Sequence, residues 1–141
     1  MESLKQRLAE LKLVSEEDLN TLNNILEEIK ATNLSKEMIV PLLHVLENNP
    51  DFHFGAPGNI VHIIEKISVQ FADEEYFDLL IQSVKRVPTE YNLWLMNRIM
   101  NTFEDKSLIR KGLTVFEKVK QETTNAGLRE LAQRFIEHFD E

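Results

Sequence analysis

Pro50-Asp51-Phe52-His53-Phe54-Gly55-Ala56-Pro57-Gly58-Asn59 holds two prolines and two glycines, in a chain of 141 residues that has only four of each. Proline lacks a backbone donor, and glycine reaches backbone conformations closed to other residues. The stretch therefore predicts a loop. On both sides of it, apolar residues recur at i, i+3, i+4 and i+7, the spacing of one face of a helix. So few glycines and prolines cannot punctuate the many turns of an all-β chain. The sequence reads as helix upon helix around one irregular break.

Upstream of the break, Leu4, Leu8 and Leu11 mark a short, charged helix. Ser15, followed by Glu16, Glu17 and Asp18, caps a second helix whose stripe is Leu19, Leu22, Ile25, Leu26 and Ile29. Ser35 caps a third, with Met38, Ile39, Leu42, Leu43, Val45 and Leu46, and Pro41 predicts a kink or a late start there. Downstream, Pro57 stands at the first position of a fourth helix, Gly58 to about Phe71. Asp73 caps a fifth, with Glu74 and Glu75 in its first turn and Lys85 and Arg86 in its last. Thr89 caps a sixth, Asp105 opens a seventh, and Thr124 or Asn125 an eighth.

The starts at Pro57, Asp73, Thr89 and Asp105 fall 16 residues apart, room for one helix and a short connection. Short connections make successive helices antiparallel neighbours, and two such units approach the length of helical repeat modules. No motif recurs at that period. The expectation is a single all-α domain over residues 1–141, with seven or eight antiparallel helices stacked as a HEAT-like α-solenoid of hairpins. A globular helical bundle is the alternative. Ile60, Ile63, Ile64, Ile67, Leu80, Val84, Leu93, Met96, Met100, Phe116 and Phe135 are the predicted core, and Gly112 is expected to permit close helix approach.

Hydrophobic residues make up 43% and charged residues 28% of the chain, a globular balance and not that of a disordered one. Cysteine is absent, which excludes disulfides, thiolate zinc sites and cysteine nucleophiles. No segment reaches the roughly 20 apolar residues of a membrane span, and the N-terminus lacks a signal peptide's apolar core. A cytoplasmic location is expected. The net charge of −8 is unevenly spread: residues 1–78 hold 6 Lys/Arg against 15 Asp/Glu, residues 79–141 hold 10 against 9. An acidic N-terminal half repels nucleic acid and anionic lipid and attracts a basic protein, with Glu27, Glu28, Glu74 and Glu75 as steering charges. The same acidity also serves solubility alone.

No constellation reads as catalytic. His44, His53 and His62 recur every nine residues, but nine is not a multiple of a helical turn and no His-Glu-x-x-His pattern fixes two ligands on one helix. His44, among apolar neighbours, reads as a core or boundary residue. No serine, threonine or lysine stands in a nucleophile context. Gly55-Ala56-Pro57-Gly58 before a helix suggests exposed amides for an anion, but Pro57 removes a donor, and a tight turn aiming the fourth helix is the stronger reading. No metal and no cofactor are expected.

The sixth helix carries a sharper signal. Leu93, Leu95, Met96, Ile99, Met100 and Phe103 form its apolar stripe, whereas Trp94, Asn97, Arg98 and Asn101 form a second stripe on the polar side. Tryptophan and arginine are the residue types enriched at binding hot spots. The other reading covers this side with a helix and makes the amides structural. If alternate helices lie side by side, His62, Glu65 and Lys66 of the fourth helix come next to this stripe, and Glu65 would pair with Arg98. Trp94, Asn97, Arg98 and Asn101, with His62 and Glu65 beside them, would then hold the turn at 50–58, which contains His53, and form or support the partner surface.

The run His53-Phe54-Gly55-Ala56-Pro57-Gly58-Asn59-Ile60-Val61-His62-x-x-Glu65, with Pro88-Thr89 and Leu93-Trp94-Leu95-Met96-Asn97-Arg98-Ile99-x-Asn101, resembles small helical immunity proteins of bacterial polymorphic toxin systems, of the contact-dependent or Rhs type. The resemblance covers residues 50–103. It implies a cytoplasmic, non-enzymatic inhibitor that neutralises a cognate toxin domain by protein–protein contact. It does not say which toxin. A HEAT-like adaptor or scaffold, and a helical enzyme or metal protein using His53, His62 and Glu65, are the other classes the sequence leaves open.

Overall fold

A computed structural model describes residues 3–55 and 58–139. Those residues form eight α-helices and no strand: α1 (Leu4–Ala9), α2 (Glu16–Thr32), α3 (Ile39–Asn48), α4 (Asn59–Ser68), α5 (Asp73–Arg86), α6 (Glu90–Met100), α7 (Lys106–Glu122) and α8 (Ala126–Phe139). A 3-10 turn, Lys36–Met38, leads into α3. The chain divides into two compact units, Met1–Tyr76 and Phe77–Glu141, with the boundary inside α5.

In the first unit α1 packs against α2 and α3, and α4 against α2 and α3. Three hydrogen bonds there join residues 36 apart: Leu13 N–H to Asn49 Oδ1 at 3.0 Å, Asn59 Nδ2 to Asn23 Oδ1 at 3.2 Å, and Gln70 Nε2 to the Leu34 carbonyl at 2.9 Å. The separation is the same between Asn23 of α2 and Asn59 of α4 as between Leu34 and Gln70 just past the ends of the two helices, as only helices running in the same sense allow. Helices two apart are thus parallel neighbours. Their buried faces are Leu22, Ile25, Leu26 and Ile29 of α2, and Ile60, Ile63, Ile64 and Ile67 of α4. Each such side chain contributes about 1.5–3 kcal/mol on burial.

The second unit repeats the pattern. α6 packs on α7 and α8, and α7 on α8. Asn101 and His138, 37 residues apart, meet at 2.9 Å, and Asp78 pairs with Lys111 across a separation of 33. Gly112 is buried on α7, and a Cβ there would stand 3.0 Å from Phe77 Cζ and 2.6 Å from Met100 Cε. Glycine lets α7 close on these two side chains.

The helix starts follow from local chemistry. Ser15 accepts from Asp18 N–H while the Asp18 carboxylate accepts from Ser15 N–H, a closed capping box. Those backbone bonds from Val14 and Ser15, with a third from the Ser15 hydroxyl, hold the Asp18 carboxyl below its ordinary range. Thr89 and Asn92 form the same box at α6, and both are buried. Asp105 accepts from Ser107 at α7, and the Asn125 side chain accepts from Leu128 N–H at α8.

Of the two outcomes expected at Pro41, the late start is the one found: α3 begins at Ile39 and Pro41 sits in its first turn, where its missing donor costs little. Several other expectations need correction. Asp73 is a helical residue, and the preceding carbonyl, that of Ala72, accepts the first helical bond. α4 ends at Ser68 rather than near Phe71, because the Ser68 hydroxyl takes the Glu65 carbonyl and the chain tightens into i→i+3 bonds at Gln70 and Phe71. His44 is exposed, since neighbours in sequence point about 100° apart on a helix and its apolar neighbours face the other way. Ile99, Phe103 and Phe135 are half-buried, the last tilted against Phe116 at 5.5 Å. The other predicted core residues are buried. Pro57 and Ala56 lie outside the described residues.

Candidate functional site

The loop before α4 is shaped by two glycines at positive φ, Gly55 at 116° and Gly58 at 89°. A Cβ on Gly58 would collide with the Phe54 carbonyl, so no other residue fits there. Phe52 and Phe54 meet edge to face at 5.1 Å, which anchors the loop through the buried Phe54 ring. His53 between them is exposed.

In the first unit, parallel packing of α2 and α4 leaves a groove of about 490 Å³. Glu27 and Lys30 of α2 face Asn59, His62, Glu65 and Lys66 of α4 across it. Val69, 81% exposed, stands at its end. Three residues singled out from sequence, Glu27, His62 and Glu65, therefore meet on one surface. Glu28 instead forms an ion pair with Arg7, and Glu75 pairs with Lys36 at 3.7 Å. Glu27 and Glu74 are exposed and have no ion-pair partner among the described residues. Of the four steering charges, these two present undiminished negative charge.

In the second unit, the Arg98 guanidinium lies over the Trp94 ring, 4.7 Å from its centre, one turn apart on α6. Trp94 and Asn97 are half-buried, and Arg98 is exposed. Asn97 and Asn101 line a small groove of about 250 Å³ with Leu131, Arg134, Phe135 and His138 of α8. Asn101 Oδ1 is in hydrogen-bond contact with His138 Nε2, and the buried Asn97 Oδ1 has no hydrogen-bond partner among the described residues. An amide and a guanidinium stacked on an indole are thus displayed together on one face. Glu65 belongs to the first unit and Arg98 to the second.

Lys30, Arg134 and His138 were not foreseen. A signal for them was present, because Lys30 and Lys66 are 36 residues apart and Asn101 and His138 are 37 apart. Reading the sequence at the spacing of parallel helices, instead of at the spacing of helix starts, brings these side chains together. Among the described residues, no three His, Asp or Glu side chains converge as a metal ion would require. No helix among them is long and apolar enough to cross a membrane. Comparison of the chain with protein-family models, curated proteins and solved structures finds no match.

Proposed function

We propose that the chain is an immunity protein: a cytoplasmic, non-enzymatic binder that neutralises a cognate, basic toxin domain through its helical surface. The observation that carries the reading is the coincidence of charge with structural unit. Met1–Tyr76 holds six Lys/Arg against fourteen Asp/Glu, while Phe77–Glu141 holds ten of each. Charge confined to one compact unit gives a directed field, which raises the encounter rate with a cationic partner more than it raises affinity. The Trp94–Arg98 stack supplies a second element, a pre-ordered pair of the residue types that anchor interfaces.

A second reading, an adaptor with HEAT-like stacked hairpins, draws on the links between residues 36 apart within the first unit and 37 apart within the second. Parallel alternate helices are what stacked hairpins share. Genetics separates the two readings. Coexpression with a toxin encoded by the neighbouring gene should restore growth if the chain confers immunity, and an adaptor should give no rescue.

A further inference from the structure

The groove between α6 and α8 holds a polar group that the packing of the chain does not account for. Asn97 lines it, and the Asn97 side chain makes no hydrogen bond among the described residues, although its Oδ1 is fully buried. A buried acceptor without a partner costs the fold stability, and such a group calls for a role outside folding. With Oδ1 turned inward, the atom presented to the groove is the amide nitrogen, a donor. One turn on, Asn101 Oδ1 accepts from His138 Nε2 at 2.9 Å, which fixes that amide and leaves its nitrogen to donate as well. On the opposite wall Arg134 is exposed and has neither hydrogen bond nor ion pair among the described residues. No carboxylate lines the groove, and the half-buried Leu131 and Phe135 leave part of their apolar surface open in it.

Donors without acceptors select a ligand rich in acceptors. At about 250 Å³ the groove falls below the roughly 300–1,000 Å³ of small-molecule sites, so it suits one side chain of a larger ligand and not a whole cofactor. Asn97 and Asn101, four residues apart, are separated by about 6 Å along the helix axis. In an extended peptide, groups that face one side recur every second residue, at about 6.6 Å. The two spacings match, so the two amides can each donate to a backbone carbonyl of one extended segment. Leu131 and Phe135 then offer a seat for an apolar side chain, and Arg134 beside them offers a fork of donors to a carboxylate. A nucleic acid also carries acceptors, but its phosphates call for a row of cations. One arginine in the lining answers to one carboxylate.

We propose that the α6–α8 groove binds an extended segment of a partner protein, with backbone carbonyls on Asn97 and Asn101, an apolar side chain on Leu131 and Phe135, and one carboxylate on Arg134. Such a segment can belong to any partner, toxin or not, and the test needs no toxin. It is a titration of the full chain, labelled with nitrogen-15, by the acetylated and amidated pentapeptide Ala-Leu-Ala-Asp-Ala and its reverse, followed through the side-chain amide signals. Peptides with lysine or asparagine in place of the aspartate, and a thymidine pentanucleotide, serve as controls. The expected result is a saturable shift of the Asn97 and Asn101 side-chain amides with an aspartate peptide, a weaker response to the asparagine peptide, and none to the lysine peptide or the oligonucleotide. Arg134→Glu, a change at an exposed position, should weaken the aspartate peptide by about tenfold or more, as loss of a charge-assisted contact implies. Asn97→Ala should weaken it about three- to tenfold without lowering the melting temperature, because the amide lost has no partner within the described residues. A lowered melting temperature with unchanged affinity would assign Asn97 to the fold and overturn the proposal. Amide signals indifferent to both aspartate peptides, an equal response to the lysine peptide or the oligonucleotide, or affinity unchanged in Arg134→Glu would each overturn it too.

Discussion

At the scale of single residues, the best-determined polar group is Asn92. Its side-chain carbonyl accepts from Thr89 N–H at 2.8 Å, and its amide donates to Ser83 Oγ at 3.1 Å and the Val87 carbonyl at 2.9 Å. One fully buried side chain thus caps α6, closes the α5–α6 turn and satisfies a buried hydroxyl. Replacing it with alanine removes the acceptor of the buried Thr89 N–H and the donor to the Val87 carbonyl. Asn92→Ala should cost about 1–3 kcal/mol or more in urea unfolding, whereas an exposed amide such as Asn24 should cost under about 0.5 kcal/mol. Asp18 gives a prediction in pH. Its carboxyl is lowered by the Val14 and Ser15 backbone bonds, so its contribution is fully present above its ordinary value of 3.8. That contribution is lost as pH falls through the lower folded value. Asp18→Asn should therefore be less stable than wild type near neutrality, and the difference in urea midpoint should shrink on acidification below about pH 4. A difference that stayed constant down to the acid limit would remove the capping role.

At the scale of elements, the close approach of α7 to Phe77 and Met100 rests on Gly112. An alanine there gains about 1 kcal/mol of helix propensity but meets two buried side chains, and overpacking costs about 1–3 kcal/mol. Gly112→Ala should be destabilising in the wild-type background and lose that penalty when combined with Met100→Ala, a coupling that a double-mutant cycle reads directly. In α4, Ile64→Ala should cost about 2–5 kcal/mol, since the side chain is fully buried. The helices themselves were legible because stripes and caps agree: Ser15, Thr89, Asp105 and Asn125 all cap where their spacing places them. Errors came where a side chain competes with the backbone, as Ser68 does at the end of α4, or where linear adjacency was taken for a shared face, as at His44. Proximity between helices was the least legible property. The helix starts, 16 apart, imply a two-helix unit of 32, whereas the parallel contacts fall at offsets from 33 to 37, as Asp78–Lys111, Asn23–Asn59 and Asn101–His138 reveal.

At the scale of the whole molecule, the account rests on an acidic first unit and an aromatic–guanidinium pair in the second acting at different stages of binding. Exposed carboxylates act before contact and are screened beyond about 8 Å at physiological ionic strength, so they govern association. An anchoring indole acts after contact and governs dissociation. Within the charges, Glu27 and Glu74 should outweigh Glu28 and Glu75, whose fields are offset by Arg7 and Lys36. The direct test is surface plasmon resonance of the full chain against the toxin domain encoded by the neighbouring gene, at two salt concentrations. The account predicts saturable binding whose association rate falls with salt and falls again in Glu27→Gln with Glu74→Gln, while Trp94→Ala speeds dissociation. Absence of binding to that domain, or binding indifferent to both salt and these substitutions, would contradict it.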